Sequence, residues 1–291
     1  FYEEKKCDSS VIYFRKCFES SDTITLPRSS FVRDLLFNAE ILLHDSLTNC
    51  SFAFSSLILE NDKENIEALL VRAQSNLING DTVESFRDLN SVIALDPNDI
   101  EAYRIRADIY KGKGNLEKAI LDYNQIIRMD TCDIETTLNR AKIFVELEQF
   151  DLAIADYKFI ILSDSCINKL KNENMNDWKR KLHLTRYSFY RYNAYMNLAL
   201  IYYWEKQFTK SERILTKAID VDGYGASSLR ILRAESRLAL GNYIYAIHEF
   251  TTAIENDPQC DPQCDSRAFF GRGEAYYNLG EKLKAGADFN E

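Results

Sequence analysis

Cys260 and Cys264 stand four residues apart in "DPQCDPQC", residues 257–264, a tetrad written twice with aspartates between the thiols. Sulfur and carboxylate at that spacing could hold a metal ion or form a vicinal redox pair. A structural zinc site, however, takes about four N or S ligands, commonly from two separated pairs. Here a single pair stands without a neighbouring His or a second Cys pair nearby in the sequence. A lengthened turn is therefore expected, with a redox pair or a weak metal site as the alternative.

Other chemistry-bearing stretches read the same way. "GKGN" (112–115) lacks the upstream glycine spacing and preceding strand of a phosphate loop. "DVDGYG" (220–225) begins like a calcium loop, yet its twelfth position, where a bidentate Glu is required, is Ile231. Both are expected to be turns. His44, His183 and His248 are scattered, and no HExxH, nucleophile elbow or dinucleotide fingerprint is present. The expectation is a non-enzyme with no cofactor and no metal.

The elements that carry these residues are expected to be helices. Among 291 residues, 46% are apolar, but only 10 are Gly and 4 are Pro. A β-sandwich or barrel of this length would use more of both in its turns. A net charge of −9 argues against nucleic-acid or anionic-membrane binding, which need a cationic surface. No run of about 18 apolar residues suggests a membrane span. Seven scattered cysteines, an odd number, suit free thiols in a reducing compartment, hence a cytosolic setting. Neither "FYEEKKCDSS" nor "KAGADFNE" reads as a natural terminus, so a longer protein is expected.

A period organises the chain. Residues 102–130 align with 136–164 at an offset of 34, and the register places repeat starts at Val32, Ile66, Ile100 and Ile134. After an interruption it resumes at Tyr192, Ser227 and Ser266. The eighth position is Ala39, Ala73, Ala107, Ala141, Ala199, Ala234 and Gly273. The twentieth is Ser51, Ser85, Ala119, Ala153, Ser211, Ala246 and Ala285. Small residues at both places let two antiparallel helices approach closely. Large apolar residues at position 24 (Leu89, Tyr123, Tyr157, Leu215, Phe250, Phe289) would fill the space between successive hairpins. Asp62, Asp96, Asp130, Asp164, Asp222 and Asp257 at position 31 would end the second helices. A hairpin cannot bury its apolar face alone, so neighbours must stack.

The period, the small columns and the closing Asp resemble the tetratricopeptide repeat (TPR) family, over 32–167 and 192–291. The family's Trp at position 4 is absent, replaced by Leu35, Leu69, Tyr103, Thr137, Tyr195, Arg230 and Phe269. The resemblance implies an all-α, right-handed superhelical solenoid of stacked antiparallel helix pairs, about seven repeats, the last incomplete. Residues 1–31 would be a cap or the remnant of an earlier repeat. It also implies a groove lined by positions 2, 5, 6, 9, 12 and 13 of the first helices, binding a peptide or partner protein.

Groove candidates follow from those positions. Position 5 supplies Leu70, Arg104, Leu138, Met196, Ile231 and Phe270, an apolar lane broken once; Asp108, Lys142, Glu235 and Glu274 stand at position 9, and Asn139 at position 6. With Glu67, Glu101 and Glu135 at position 2, the lane would suit a partner carrying apolar and basic residues. Equally, the apolar residues could pack inside each hairpin and the acids be solvated. The chaperone-carboxylate clamp known in one branch of the family is not matched, because Asp108 stands where an Asn should donate.

The interruption, 168–191, holds seven Lys and Arg against two acids, net +5, so the rest of the chain carries −14. Trp178, Leu182, Thr185 and Phe189 form one helical stripe, in phase with Tyr192, Met196 and Ala199. The helix opening the repeat at Tyr192 should therefore extend backward by about four turns, with Asn176 or Asp177 as its cap. Trp178, Lys179, Arg180, Lys181 and Arg186 are candidates for docking an acidic protein surface, against the plainer reading of local packing with solvated charges. Nucleic acid and a latch into the chain's own acidic groove are weaker fits. Three functions compete: an interaction scaffold, a structural component of a large cytoskeletal or ciliary assembly, and a regulatory segment of a longer enzyme.

Overall fold

The computed structural model describes residues 48–172, 174–222, 226–256 and 262–290, and all of its described elements are helices. The chain divides into two compact units, residues 1–131 and 132–291. The first contains α1 (Thr48–Asn61), α2 (Ile66–Ile78), α3 (Thr82–Leu95), α4 (Ile100–Gly112) and α5 (Leu116–Met129). The second contains α6 (Ile134–Glu146), α7 (Phe150–Leu162), α8 (Asp164–Asn172), α9 (Asp177–Trp204), α10 (Phe208–Asp222), α11 (Ala226–Ala239), α12 (Tyr243–Asn256), α13 (Pro262–Asn278) and α14 (Lys282–Asp288). Within each unit the helices pack in hairpins and each hairpin on the next, the expected array of helix pairs, except that α7 packs on α9 past the short α8. The expected cap at 1–31 and His44 lie outside the described residues.

Local chemistry explains where each helix starts and turns. Asn65, Asp99 and Asp133 cap α2, α4 and α6, their side chains accepting the N–H of Ala68, Ala102 and Thr136. The link inside each hairpin turns on position 15, which is left-handed in every described repeat: Gly80, Gly114, Gly241 and Gly280 have φ between 72° and 88°. Glu148 and Lys206 occupy the same place at φ 57° and 60°, a conformation that costs a side-chain-bearing residue roughly 1 kcal/mol or more. "GKGN" is therefore a turn, as expected, with Gly114 as its left-handed residue.

The small columns meet where helices cross. Ala73, Ala107, Ala141, Ala199 and Ala234 are fully buried, as are Ser85, Ala119, Ala153, Ser211 and Ala246. The Ser211 hydroxyl donates to the Ala199 carbonyl at 3.0 Å, so positions 8 and 20 touch directly. The large residues of position 24 are interior: Leu89, Tyr123, Tyr157, Leu215 and Phe250 are buried. Gly271 in α13 lies so close to the Phe250 ring that any Cβ there would collide with it.

A charged contact absent from the sequence reading runs through the same interiors. Position 7 of the first helix and position 23 of the second form a bidentate pair: Arg72 with Asp88, Arg106 with Asp122, Arg140 with Asp156 and Arg272 with Asp288, all at 2.6 to 2.9 Å. In the repeat at Ser227 the pair is Arg233 and Glu249, at 2.6 Å, with Arg230 and Arg237 also on Glu249. These carboxylates are buried. The repeat at Tyr192 has Leu198 and Ile214 at the two positions, so both partners are replaced together by apolar groups.

Four expectations are corrected. Cys132 and Cys166 are joined by a disulfide, and Cys50 is disulfide-bonded as well, so a set of free thiols is excluded. The reason is the period: 34 residues apart, they hold one register position in consecutive repeats, and stacking brings their Cα atoms to 5.4 Å. Asp164 opens α8 instead of closing a second helix, so the basic interruption begins inside a short helix. The duplicated tetrad is not wholly a turn, since α13 begins at Pro262; residues 257–261, with Cys260, lie outside the described residues. Leu138 and Ile231, candidates for the groove, are buried core residues, 3% and 2% exposed.

Replacing Asp122 by Ala leaves Arg106 without its buried counter-charge and should cost about 3–5 kcal/mol in denaturant unfolding. The double change Arg106→Leu with Asp122→Ile copies the repeat at Tyr192. It should be far less costly, from neutral to stabilising by about 1–4 kcal/mol.

Candidate binding face

The long helix α9 fixes the geometry of the face. Asn176 caps it, accepting from the Lys179 N–H, and 28 residues follow without a break, as the stripe required. Its inner side docks through Tyr187, whose buried hydroxyl donates to the Ser163 carbonyl at 2.9 Å. The opposite side is open. Trp178 is 70% exposed, Phe189 58% and Leu182 43%, and Thr185 is exposed between them. The stripe thus stays open along the extension among the described residues, and closes over at Ala199, which is buried. At about 100° per residue this face is the one that carries Met196 and Tyr203 further along the same helix.

The basic candidates divide. Lys179 and Lys181 are exposed. Arg180 is engaged at home, bonding to Asp177 at 2.6 Å and to the Met175 carbonyl at 3.0 Å. Arg186 reaches Glu135 at 3.8 Å, an exposed pair worth little by itself. Glu135 also accepts from Tyr190, whose phenol is pushed up to about 12, by burial first and then by that carboxylate.

At the far end of the same face, α9, α11, α13 and α14 enclose a cleft of about 580 Å³ lined by Tyr203, Glu235, Leu238, Arg267, Phe270 and Glu274, among others. Arg267 binds Glu235 through both carboxylate oxygens at 2.8 Å. Burial pushes the Glu235 carboxyl above its usual range, and Arg267 draws it part of the way back. Burial also raises Tyr203, with Glu235 and Glu274 adding to the effect and Arg267 opposing it, so these four groups face one space.

Other groove candidates separate from this cleft. Met196, Asn139 and Lys142 lie in the second unit but do not line it; Lys142 is exposed, Met196 and Asn139 half-buried. Leu70, Arg104 and Asp108 belong to the first unit. There Leu70 packs against the core, Arg104 pairs with Glu101 at 3.5 Å, and Asp108 accepts from the Tyr123 hydroxyl at 3.0 Å. His248 is exposed, whereas its neighbour Glu249 is buried. Tyr203, Arg267 and Phe289 were missed by sequence reasoning. Tyr203 and Arg267 stand at positions 12 and 2, legible from the register alone; Phe289 enters as the C-cap of α14, which no first-helix list includes. Among the described residues, no group of His, Cys, Asp and Glu could hold a metal ion, and no helix is long and apolar enough to cross a membrane.

Comparison with known proteins agrees with this architecture. Patterns described as "Tetratricopeptide repeat" match residues 231–291, and 100–131 together with 192–223. A TPR repeat-containing protein of Cytophaga hutchinsonii, solved for its C-terminal part, superposes with a TM-score of 0.65 at 14% identity, covering 88% of this chain and 93% of that one. A tetratricopeptide repeat protein from Parabacteroides merdae gives 0.53 at 16%, covering 89% and 91%. The pilF protein of Pseudomonas aeruginosa gives 0.52 at 14%, covering 78% and 89%. These likenesses are of fold. No curated protein sequence matches the chain.

Because the folded carboxyl of Glu235 sits above its unfolded value of 4.5, folding draws a proton there, and stability falls as pH rises from 4.5 through the folded value. Glu235→Gln removes that loss. The melting temperature of the variant should gain on the parent as pH rises across this window, then run parallel above it.

Proposed function

Since the chain is a tetratricopeptide repeat protein, we propose that it serves as a non-catalytic protein–protein interaction scaffold, binding partner segments on the first-helix face of its second unit and on the basic extension in α9. The observation that carries this reading is the open stripe of Trp178, Leu182, Thr185 and Phe189. Contiguous exposed apolar groups rimmed by charge mark interaction surfaces, and large aromatics supply most of the energy of such contacts. Lys179, Lys181 and Arg186 beside the stripe favour an acidic partner surface there, while the carboxylates near Phe270 favour apolar and basic residues. A cytosolic setting was expected from free thiols, and the Cys132–Cys166 disulfide removes that argument; disulfides persist in oxidising compartments.

A second reading, a structural component of a large assembly, is favoured by exposed apolar residues on second helices: Val83, Leu121, Leu152, Ile244 and Tyr245. One capture experiment from source cells separates the two. Proteins retained by the parent chain should fall by roughly tenfold or more with Trp178→Asp and Phe189→Asp together. They should persist with Leu121→Asp and Ile244→Asp. The reverse pattern would favour assembly through the second helices. All four side chains are exposed, so circular dichroism should remain that of the parent.

A further inference from the structure

The cleft between α9, α11 and α13 has walls of two kinds, and together they describe an occupant. One is aromatic: Phe270 is 62% exposed, its ring centroid 5.6 Å from that of Phe289, and Tyr203 lines the same space. The other is anionic: Glu235 and Glu274 at position 9 of successive first helices. Asp288, which also lines the space, is neutralised by Arg272 at 2.7 Å. Arg267 is the cation already present, 55% exposed while the Glu235 side chain it holds is 18% exposed. No ion pair is made by Glu274 among the described residues, and its carboxylate is exposed beside the open ring of Phe270.

We propose that this cleft receives a lysine or arginine side chain of a partner peptide, with a neighbouring apolar residue of that peptide packed on Phe270. This rests on the scaffold reading above and names the chemistry of the partner at one place on the face. Three features support it. Cations are attracted to the faces of Tyr and Phe rings, more strongly where water is partly excluded. Glu274 supplies the counter-charge at the rim, and the bond from Arg267 to Glu235 shows that the cleft accommodates a guanidinium against its inner carboxylate. An aliphatic or aromatic residue beside the cation covers apolar surface that Phe270 now leaves in water. An acidic segment would face two carboxylates against one arginine that is already engaged, so charge excludes it.

The test uses the whole chain and blocked heptapeptides whose central residue is Lys, norleucine or Glu, flanked by Leu or by Ser, with binding read by fluorescence anisotropy. The Leu-flanked Lys peptide should bind at least roughly tenfold more tightly than its norleucine and Glu counterparts and than the Ser-flanked Lys peptide. Glu274→Gln and Phe270→Ala should each weaken the Lys peptide, and Glu274→Gln should leave the norleucine peptide unchanged. Glu274 is exposed, so its substitution keeps the fold, and thermal melting confirms this. Peptides that bind without preferring Lys, or that ignore Glu274→Gln, would overturn the cation site and leave the scaffold standing. Failure of every peptide to bind would overturn the cation site, while the Trp178 and Phe189 capture experiment still judges the scaffold by itself.

Discussion

From the repeat at Ile66 onward, each hairpin is locked across its middle by a pair of residues sixteen apart, and the rest of the architecture depends on that lock. In five described repeats it is an arginine and a carboxylate; in the repeat at Tyr192 it is Leu198 and Ile214. A buried guanidinium must find a planar acceptor, and a buried carboxylate must find donors, so only one rotation of each helix about its axis satisfies both. The pair is therefore better understood as a register device than as a source of stability. Once it is set, the alanines and serines of positions 8 and 20 face each other, and the aromatic or leucine of position 24 is aimed at the next hairpin.

The same constraint decides what is left outside. With positions 7 and 8 committed to the interior, positions 2, 9 and 12 of first helices point away from their partners, and in the second unit Arg267, Glu235 and Tyr203 converge there. Position 5 sits on the border between the two roles. Ile231 falls into the core while Phe270, the same position one repeat later, is largely exposed. Gly271 explains the difference in part. It admits the Phe250 ring against α13, so that ring fills the interface in place of the Phe270 side chain.

Much of this was legible in the sequence. The period, the small columns and the Asn176 cap of the 28-residue helix could all be read from spacing, because helix contact and helix capping are local and periodic. The ion pairs were equally written there, as Arg72, Arg106, Arg140, Arg233 and Arg272 against acids sixteen residues on. They were passed over because charge is ordinarily taken as solvated, and only coordinates show Asp122 or Glu249 to be buried. The disulfide escaped for a different reason: an odd cysteine count says nothing about which two share a register. Leu138 and Ile231 were misplaced because position 5 lies at the groove–core boundary, where a degree of helix rotation outweighs residue type.

The fold keeps an apolar lane open on α9 and α13 while burying residues of the same kind elsewhere. Hydroxyl-radical footprinting of the free chain measures this directly. Trp178, Phe189 and Phe270 should be modified rapidly, and Tyr123, Tyr157 and Phe250 should be protected. Protection of Trp178 and Phe189 equal to that of Tyr157 would show the lane to be covered and the face closed.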